Sequence, residues 1–265
     1  MSISGVLGDQ QTVELPQGTI AYRERGEGPV LLFVHGLFVN GDHWRKVVPL
    51  LADRYRCVAP DLPFGAHSHP LRQDADRSAA GLARLVADFI AELGLDDVTV
   101  IGNDTGDAFT NFLPWLIKPV RPLAWAPPLF HAILKTFKTR AGQFALLGLI
   151  AKNFPEKEIL EGYFGPPLRD ADVRRDLREI VKGGKPSYTL RAAKKLRELK
   201  IPALIVWQRA PNPVFPKFHG RRLAKIIPDA RLEIVKGTLA FIPEDRPERL
   251  AELIAEFVPA GATVR

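Results

Sequence analysis

The chain has 265 residues, of which 46% are hydrophobic, and this suits one globular domain with an insertion and a sizeable core. Disorder is therefore excluded as the main state. Cys57 is the single cysteine, so no internal disulfide can form, and no Cys and His pairs have zinc-ligand spacing. The first ten residues lack the features of a signal peptide, and no apolar stretch approaches the roughly 18 residues of a membrane span. We expect a soluble cytoplasmic protein with no cofactor and no metal.

The net charge of +7 is concentrated in one segment, because residues 131–200 hold 16 basic and 8 acidic side chains. Basic residues there are interleaved with acidic ones at helical spacing, as in Arg174, Asp176 and Arg178, which is typical of solvated helix faces. No helix-turn-helix, aromatic RNA-binding stripe or zinc pattern accompanies the charge, so we expect no nucleic-acid partner. Docking of the basic segment on an anionic surface stays open as an alternative.

Strand-like apolar runs alternate with helical patterns in the first third of the chain, which favours a parallel sheet covered by helices. Strands are predicted at 19–23, 30–34, 56–59 and 98–101. Helices are predicted at 43–52, from the spacing of its apolar residues, and at 77–93, which ends at Gly94. These elements form the first part of an α/β core, residues 1–111.

The middle of the chain, residues 112–200, is rich in proline and helical patterns, including a basic amphipathic helix at 188–199. Strands return at 203–207 and 231–235, with helices at 219–227 and 247–257. We therefore predict a helical cap over 112–200 that interrupts the α/β core, and a second part of the core over 201–265. The crevice between core and cap, at the carboxyl ends of the strands, is the expected place for a site.

The most informative motif is GNDTG at 102–106, directly after a predicted strand. It has the form of a nucleophile elbow with Asp104 where serine often stands. The two glycines permit the sharp, strained turn, and the N-terminus of the following helix would keep the carboxylate ionised. Taken alone, the pattern fits an ordinary tight turn with an N-cap aspartate about as well.

Two more motifs follow predicted strands: VHG at 34–36 and DLPFG at 61–65. In this order and spacing, the three motifs resemble the α/β-hydrolase fold, and the aspartate elbow resembles the haloalkane dehalogenase and epoxide hydrolase branch. The resemblance continues to the end of the chain, where FIPE at 241–244 occupies the region just after the branch's catalytic histidine. It is specific for the fold, though not for a substrate.

The resemblance implies that Asp104 is a nucleophile. Its carboxylate would displace a halide or open an epoxide, and a histidine-activated water would then hydrolyse the resulting ester. The backbone N–H groups of Leu37 and Thr105 would bind the developing oxyanion. His35 and Gly36 precede Leu37, and we expect His35 to shape this loop rather than to act as a base.

Three tryptophans are candidates for lining the substrate pocket, since an indole N–H can hold a halide or a substrate oxygen. They are Trp44, Trp115 and Trp125. Plain core packing is the alternative role for each.

The sequence departs from the branch at the catalytic histidine, because Ala240 stands at the corresponding position. An ionised aspartate needs no base to attack, whereas hydrolysis of the ester does. The expected result is a stalled covalent intermediate or very slow turnover, unless His67, His69 or His219 substitutes for the missing base.

The acid that orients the histidine is a second departure. The segment WQRAPNP at 207–213 has no carboxylate where the family usually carries one, and Asn212 lies nearest to that place. Asp107 is the other candidate, because DAFTNF at 107–112 resembles the sequence that in part of this branch follows the next strand.

The length after the elbow is a third departure. Gly106 leads straight into DAFTNFLPW, where Pro114 limits any helix to about two turns, and Pro122 bars a central strand at 120–125. A helix, a strand and their connections need roughly two dozen residues. We therefore predict that one helix and one strand are deleted here, so that the sheet either pairs their neighbours directly or has a gap beside the nucleophile.

Together these features predict an α/β-hydrolase-type enzyme that acts on a small apolar molecule, a haloalkane, epoxide or ester, and is impaired in the hydrolytic step. The alternative is a non-catalytic relative that binds a small apolar ligand beneath the cap. No pattern in the sequence indicates an oligomeric state.

Overall fold

The computed structural model describes residues 3–103, 120–184, 186–212 and 214–259. Five strands form one sheet in the order β1-β2-β4-β3-β5. They are β1 (Gln10–Leu15), β2 (Gly18–Arg25), β3 (Val30–Val34), β4 (Arg56–Pro60) and β5 (Thr99–Gly102). Strands β4, β3 and β5 are parallel, and β1 and β2 add an antiparallel edge. The four predicted strands of this region are confirmed, whereas β1 is an additional strand with a mostly exposed polar sequence.

Two later strands, β6 (Ala203–Gln208) and β7 (Ala230–Val235), pair in parallel and form a sheet of their own. Both were predicted. In the described ranges, β5 pairs with β3 alone and β6 with β7 alone, so no strand joins the two sheets there. The predicted deletion begins after Gly106 and falls on residues 104–119, which lie outside the described residues, so it stays a prediction.

Helices cover both faces of the five-stranded sheet, because its central strands direct apolar side chains to both faces. Val30 and Leu32 belong to a buried cluster with α1 (Ala79–Glu92), which begins where the Ser78 hydroxyl accepts from the Gly81 N–H. Leu31 and Phe33 point to the other face and pack in a cluster with α10 (Pro247–Phe257). Because successive side chains of β3 point to opposite faces of the sheet, alternate residues of this strand belong to two separate cores.

The predicted helix over 43–52 is wrong, since the chain forms two short 3-10 helices instead, Gly41–Trp44 and Val48–Leu50. Pro49 lacks the N–H that a continuous helix would donate to the Arg45 carbonyl. Backbone hydrogen bonds in this stretch include the type of a 3-10 helix, in which an N–H donates to the carbonyl three residues earlier. Examples run from the Val47 N–H to the Trp44 carbonyl and from the Leu50 N–H to the Val47 carbonyl.

Six α-helices lie in the described residues between β5 and β6; we refer to them as the intervening helices and to residues 120–202, which contain them, as the intervening segment. They are α2 (Val120–Leu123), α3 (Pro127–Thr136), α4 (Arg140–Leu147), α5 (Lys157–Arg169), α6 (Ala171–Gly183) and α7 (Pro186–Lys195). An apolar cluster joins α3, α4, α5 and α6 to the loop after β3, with Phe38, Phe130, Tyr163 and Phe241 among its buried members. Two further helices, α8 (Lys217–Ile226) and α9 (Ile242–Asp245), flank β7. The division at 112 and 200 remains a prediction.

Candidate active site

The candidate active site is at the end of β5, where Asn103, the second residue of the GNDTG motif, is the last described residue before position 104. Its backbone N–H donates to the Val34 carbonyl at 3.1 Å, which extends the pairing of β5 with β3. Its side-chain Nδ2 donates to the carbonyl oxygen of Ala240 at 3.1 Å. Its Oδ1 lies 3.0 Å from Nε2 of His43. Three separate segments of the chain therefore converge on this one asparagine.

Four of the predicted site residues, Asp104, Thr105, Asp107 and Trp115, lie outside the described residues. Their roles as nucleophile, oxyanion donor, orienting acid and pocket residue remain predictions.

His43 is a fully buried histidine at the site. The Asn103 oxygen can only accept, so His43 Nε2 carries the proton and Nδ1 is the bare nitrogen. Nδ1 has no partner in the described part of the chain. Burial, together with nearby His35 and Arg45, lowers the pKa of His43 to about 3, so the ring is a neutral donor at physiological pH. Edge-to-face contact with Phe241, at 4.6 Å between ring centroids, holds its orientation.

His35 is buried at the end of β3, and both of its ring nitrogens are occupied. The Leu62 N–H donates to Nε2 at 2.8 Å, so Nδ1 carries the proton and donates to the Gly36 carbonyl at 2.9 Å. Burial lowers the pKa of His35 to about 4. This geometry ties the loop after β3 to the loop after β4 and leaves no free nitrogen for proton transfer.

The loop after β3 is held in a constrained conformation. Phe38 has φ +65°, a left-handed backbone conformation that is unusual for a bulky residue. Its N–H donates to the Phe64 carbonyl at 2.9 Å, and its ring packs edge-on against Phe137 of the intervening segment. Leu37, the predicted oxyanion donor, is buried in the same apolar cluster. Backbone strain of this kind is common at functional sites.

Asp245 fixes the loop after β7, which contains Ala240. The buried carboxylate accepts from the N–H groups of Lys152, Asn153 and Leu239 at 2.6–3.1 Å, and from the Thr238 hydroxyl at 3.1 Å. Lys152 and Asn153 belong to the segment between α4 and α5. The same carboxylate therefore secures the Ala240 loop and attaches it to the intervening helices.

Asn212, a predicted orienting group, is engaged elsewhere. Its Oδ1 accepts from the N–H groups of Val214 and Phe215 at 2.8 and 2.9 Å, and its Nδ2 donates to the Leu149 carbonyl at 2.7 Å. This pattern closes the loop after β6 and holds it against the intervening segment. No histidine is among the partners of Asn212 in the described residues.

The predicted substitute bases are His67, His69 and His219. His67 is buried; its Nδ1 accepts from the Gly65 N–H at 3.3 Å and its Nε2 faces the Asp176 carboxylate at 3.3 Å. Both ring nitrogens are thus occupied: Nδ1 closes the loop after β4 on itself, and Nε2 attaches that loop to α6. His69 is only half-buried in the same loop, and His219 is buried on α8 with its ring 4.1 Å from that of Phe218.

The two described tryptophans of the predicted pocket have different surroundings. Trp44 is buried in the core cluster that includes α10, with its ring 5.1 Å from Phe33. Trp125 is 70% exposed, and Lys182 Nζ lies 4.8 Å from the centre of its ring. The structure therefore places Trp44 in the core and Trp125 on the surface, and a pocket role for either stays a prediction.

Sequence reasoning missed His43, Asn103 and Asp245. Asn103 lies within the elbow motif, and the His43-Trp44 pair closely follows the VHG motif, so position in the sequence was a usable signal for these two. Asp245 gave no such signal, because acidic residues are common near the ends of helices for electrostatic reasons alone. The contacts of all three join positions distant in the sequence.

The described residues contain no cluster of three or more His, Cys, Asp or Glu side chains that could hold a metal ion. None of the described helices combines the length and hydropathy needed to cross a membrane.

A parallel sheet in the order β4-β3-β5, with the loops after β3 and β7 meeting Asn103 at the end of β5, defines an α/β-hydrolase type of fold. The chain belongs to the alpha/beta hydrolase family, whose model matches residues 31–253.

Individual relatives agree with this assignment. The chain is 28% identical to "Haloalkane dehalogenase 2" of Mycobacterium tuberculosis, over 91% of each chain. It is 26% identical to "Uncharacterized hydrolase YugF" of Bacillus subtilis, over 91% of this chain and 95% of that protein. A crystal structure of an alpha/beta hydrolase fold protein from Burkholderia ambifaria has the same fold, with a TM-score of 0.77 at 23% identity over 94% of this chain and 97% of that one.

Proposed function

We propose that the protein attacks a small apolar haloalkane, epoxide or ester with the Asp104 carboxylate and forms a covalent intermediate that it hydrolyses poorly. The observation that carries this proposal is the contact of Asn103 with Ala240. The residue before the nucleophile is hydrogen-bonded to the position where the haloalkane dehalogenase and epoxide hydrolase branch has its histidine, and that position is alanine.

The first half-reaction needs no base. A carboxylate oxygen of Asp104 bonds to the substrate carbon while the carbon–halogen bond breaks and halide leaves with the electron pair. With an epoxide, the carboxylate oxygen bonds to a ring carbon while that carbon's bond to the epoxide oxygen breaks, and the released alkoxide takes up a proton from water. The similarity to a haloalkane dehalogenase supports this chemistry.

The second half-reaction requires water to attack the carbonyl carbon of the ester, and a general base commonly contributes about 10²- to 10⁴-fold to such a step. His35 and His67 each have both ring nitrogens occupied, and the bare nitrogen of His43 is fully buried. These contacts argue against any of the three as the base. A long-lived ester on Asp104 is the expected consequence.

Mass spectrometry of the intact protein tests the proposal after incubation with bromoalkanes and with terminal epoxides. We expect one adduct per chain, with a mass gain of the alkyl group less one hydrogen for a bromide and of the whole epoxide for an epoxide. Peptide mapping should place it on Asp104, and Asp104→Asn should remove it. Absence of any adduct across both probe series, with the protein folded, would refute covalent catalysis.

A second candidate function is non-catalytic binding of a small apolar ligand beneath the proposed cap. It is favoured by Asn212 and Asp245, because the loops after β6 and β7 use these side chains to hold the intervening segment. Reversible binding of the same haloalkanes, without adduct and unaffected by Asp104→Asn, would support this alternative.

A further inference from the structure

We propose that His43 is a positioning residue for the reaction at Asp104, and that it acts through the side-chain amide of Asn103. This inference rests on the proposed nucleophile. It assigns to His43 a hydrogen-bonding function rather than the role of the missing base.

The amide of Asn103 has only one orientation that satisfies its neighbours. The Ala240 carbonyl can only accept, so the NH₂ group of Asn103 must face it, and the amide oxygen must face His43. His43 therefore donates, and loss of this donor would leave the part-buried amide oxygen of Asn103 without its partner. An unpaired amide is free to rotate, and its contact with Ala240 would then be lost as well.

The side chain of His43 is fixed from several directions. Its ring meets Phe241 edge-on at 4.6 Å and Trp44 at 5.1 Å, with no solvent exposure. Phe241 in turn donates its backbone N–H to the Ile150 carbonyl in the intervening segment at 2.8 Å. A continuous series of contacts thus runs from Ile150 through Phe241 and His43 to Asn103, the residue bonded to Asp104.

Position matters at this point because the attacking atom must reach the substrate carbon in a near-attack geometry. A displacement of about 1 Å at a reacting group can reduce a rate about 10²-fold. Asn103 immediately precedes Asp104 within the elbow motif, so a change in its backbone is transmitted directly to the proposed nucleophile. The effect should fall on the rate of ester formation at saturating substrate and not on binding.

Two His43 variants separate this role from simple filling of the core. His43→Phe keeps an aromatic ring of similar volume and the edge contact with Phe241, but it cannot donate to Asn103. His43→Gln provides an N–H donor of similar reach on a smaller side chain. The matched control is Tyr55→Phe, which removes a part-buried hydrogen bond to the Val258 carbonyl in the core cluster that contains Trp44.

The measurement is the rate constant of adduct formation on Asp104 as a function of bromoalkane concentration, with the melting temperature of each variant recorded. We expect His43→Phe to lower the saturating rate at least tenfold while changing the half-saturating concentration less than twofold. His43→Gln should recover the rate to within about threefold of the wild type. Tyr55→Phe should lower the melting temperature without lowering the saturating rate.

An unchanged saturating rate in folded His43→Phe overturns the inference and leaves the proposed function intact. Equal slowing in His43→Phe and His43→Gln also overturns it, because ring shape and not the donor would then be responsible. If the wild type forms no adduct, the proposed function fails, and the positioning role fails with it.

Discussion

The side-chain amide of Asn103 donates to the carbonyl oxygen of Ala240 across 3.1 Å. This hydrogen bond joins the residue before the proposed nucleophile to Ala240, the position at which the resemblance to haloalkane dehalogenases and epoxide hydrolases would place a histidine. The backbone around Ala240 is therefore held at the end of β5, although the side chain that would act as a base is a methyl group.

Restoring the histidine should restore hydrolysis. We expect Ala240→His to shorten the lifetime of the Asp104 adduct at least tenfold, because a general base contributes roughly 10²-fold or more when well oriented. Orientation should be incomplete, since Asn212 is engaged with Leu149 and cannot balance an imidazolium. Adduct lifetime is measured by intact mass after removal of free bromoalkane. Ala240→Phe, a bulky residue without a base, is the control, and equal lifetimes in the two variants would contradict the role assigned to position 240.

Arg45 links a buried carboxylate of the core to a half-exposed one near the intervening helices. It contacts Glu244, whose side chain is 1% exposed, at 2.8 Å, and Glu156, whose side chain is 53% exposed, at 2.6 Å. We expect Arg45→Met to reduce the free energy of unfolding by about 3 kcal/mol, because a buried charge loses a partner. Glu156→Gln should cost less than about 1 kcal/mol. Urea denaturation compares the two variants, and similar losses would refute this asymmetry.

Asp245 should be more important for stability than an exposed aspartate. In Asp245→Asn, an NH₂ group replaces an oxygen that accepts from N–H donors, so we expect a loss of about 3 kcal/mol from unmade charge-assisted hydrogen bonds. Hydrogen exchange of residues 150–153 should accelerate in parallel. Asp53→Asn, at an exposed site, should stay within about 0.5 kcal/mol of the wild type. A change in Asp245→Asn no larger than this control would show that the attachment is dispensable.

Buried histidines should make the protein sensitive to mild acid. His35 and His43 have pKa values lowered to about 4 and about 3, against 6.5 in the unfolded chain. The unfolded state therefore takes up protons first, and stability is lost as pH falls from about 6.5 towards 4, at about 1.4 kcal/mol per pH unit for each histidine. Burial raises the pKa of Asp61 to about 6, which has the opposite sign and offsets part of this loss below pH 6.

Unfolding free energies measured between pH 7.5 and 4.5 test this dependence. His43→Gln should reduce the slope of unfolding free energy against pH below pH 6.5 by about 1.4 kcal/mol per pH unit, the contribution of one histidine. His35→Gln should have the same effect, provided that this variant folds. A slope that neither variant alters would mean that other groups dominate acid sensitivity.

The fold was predictable because apolar runs of four to six residues and their alternation mark the strands regardless of distant contacts. The exceptions have local causes. The polar strand β1 lies at a sheet edge, where only its pairing with β2 identifies it, and Pro49 divides the expected helix over 43–52 into two 3-10 helices.

The site was less predictable, since its hydrogen bonds join residues that are far apart in the sequence, and no local sequence pattern indicates such pairs. His43 and Asn103 are 60 positions apart, and Asn103 and Ala240 are 137 apart. Trp125 was a reasonable pocket candidate by residue type, yet its ring lies at the surface beside Lys182. Residue type thus predicted the chemistry expected of the elbow, while the orientation of side chains around it required the tertiary structure.

The stoichiometry of halide release in a single pre-steady-state experiment tests the central claim most directly. Mixing the protein with excess bromoalkane should release one bromide per chain in a rapid phase, followed by a steady rate at least a hundredfold slower, because hydrolysis lacks its general base. Continued release of many equivalents at the initial rate would contradict the account, as would a complete absence of the rapid phase.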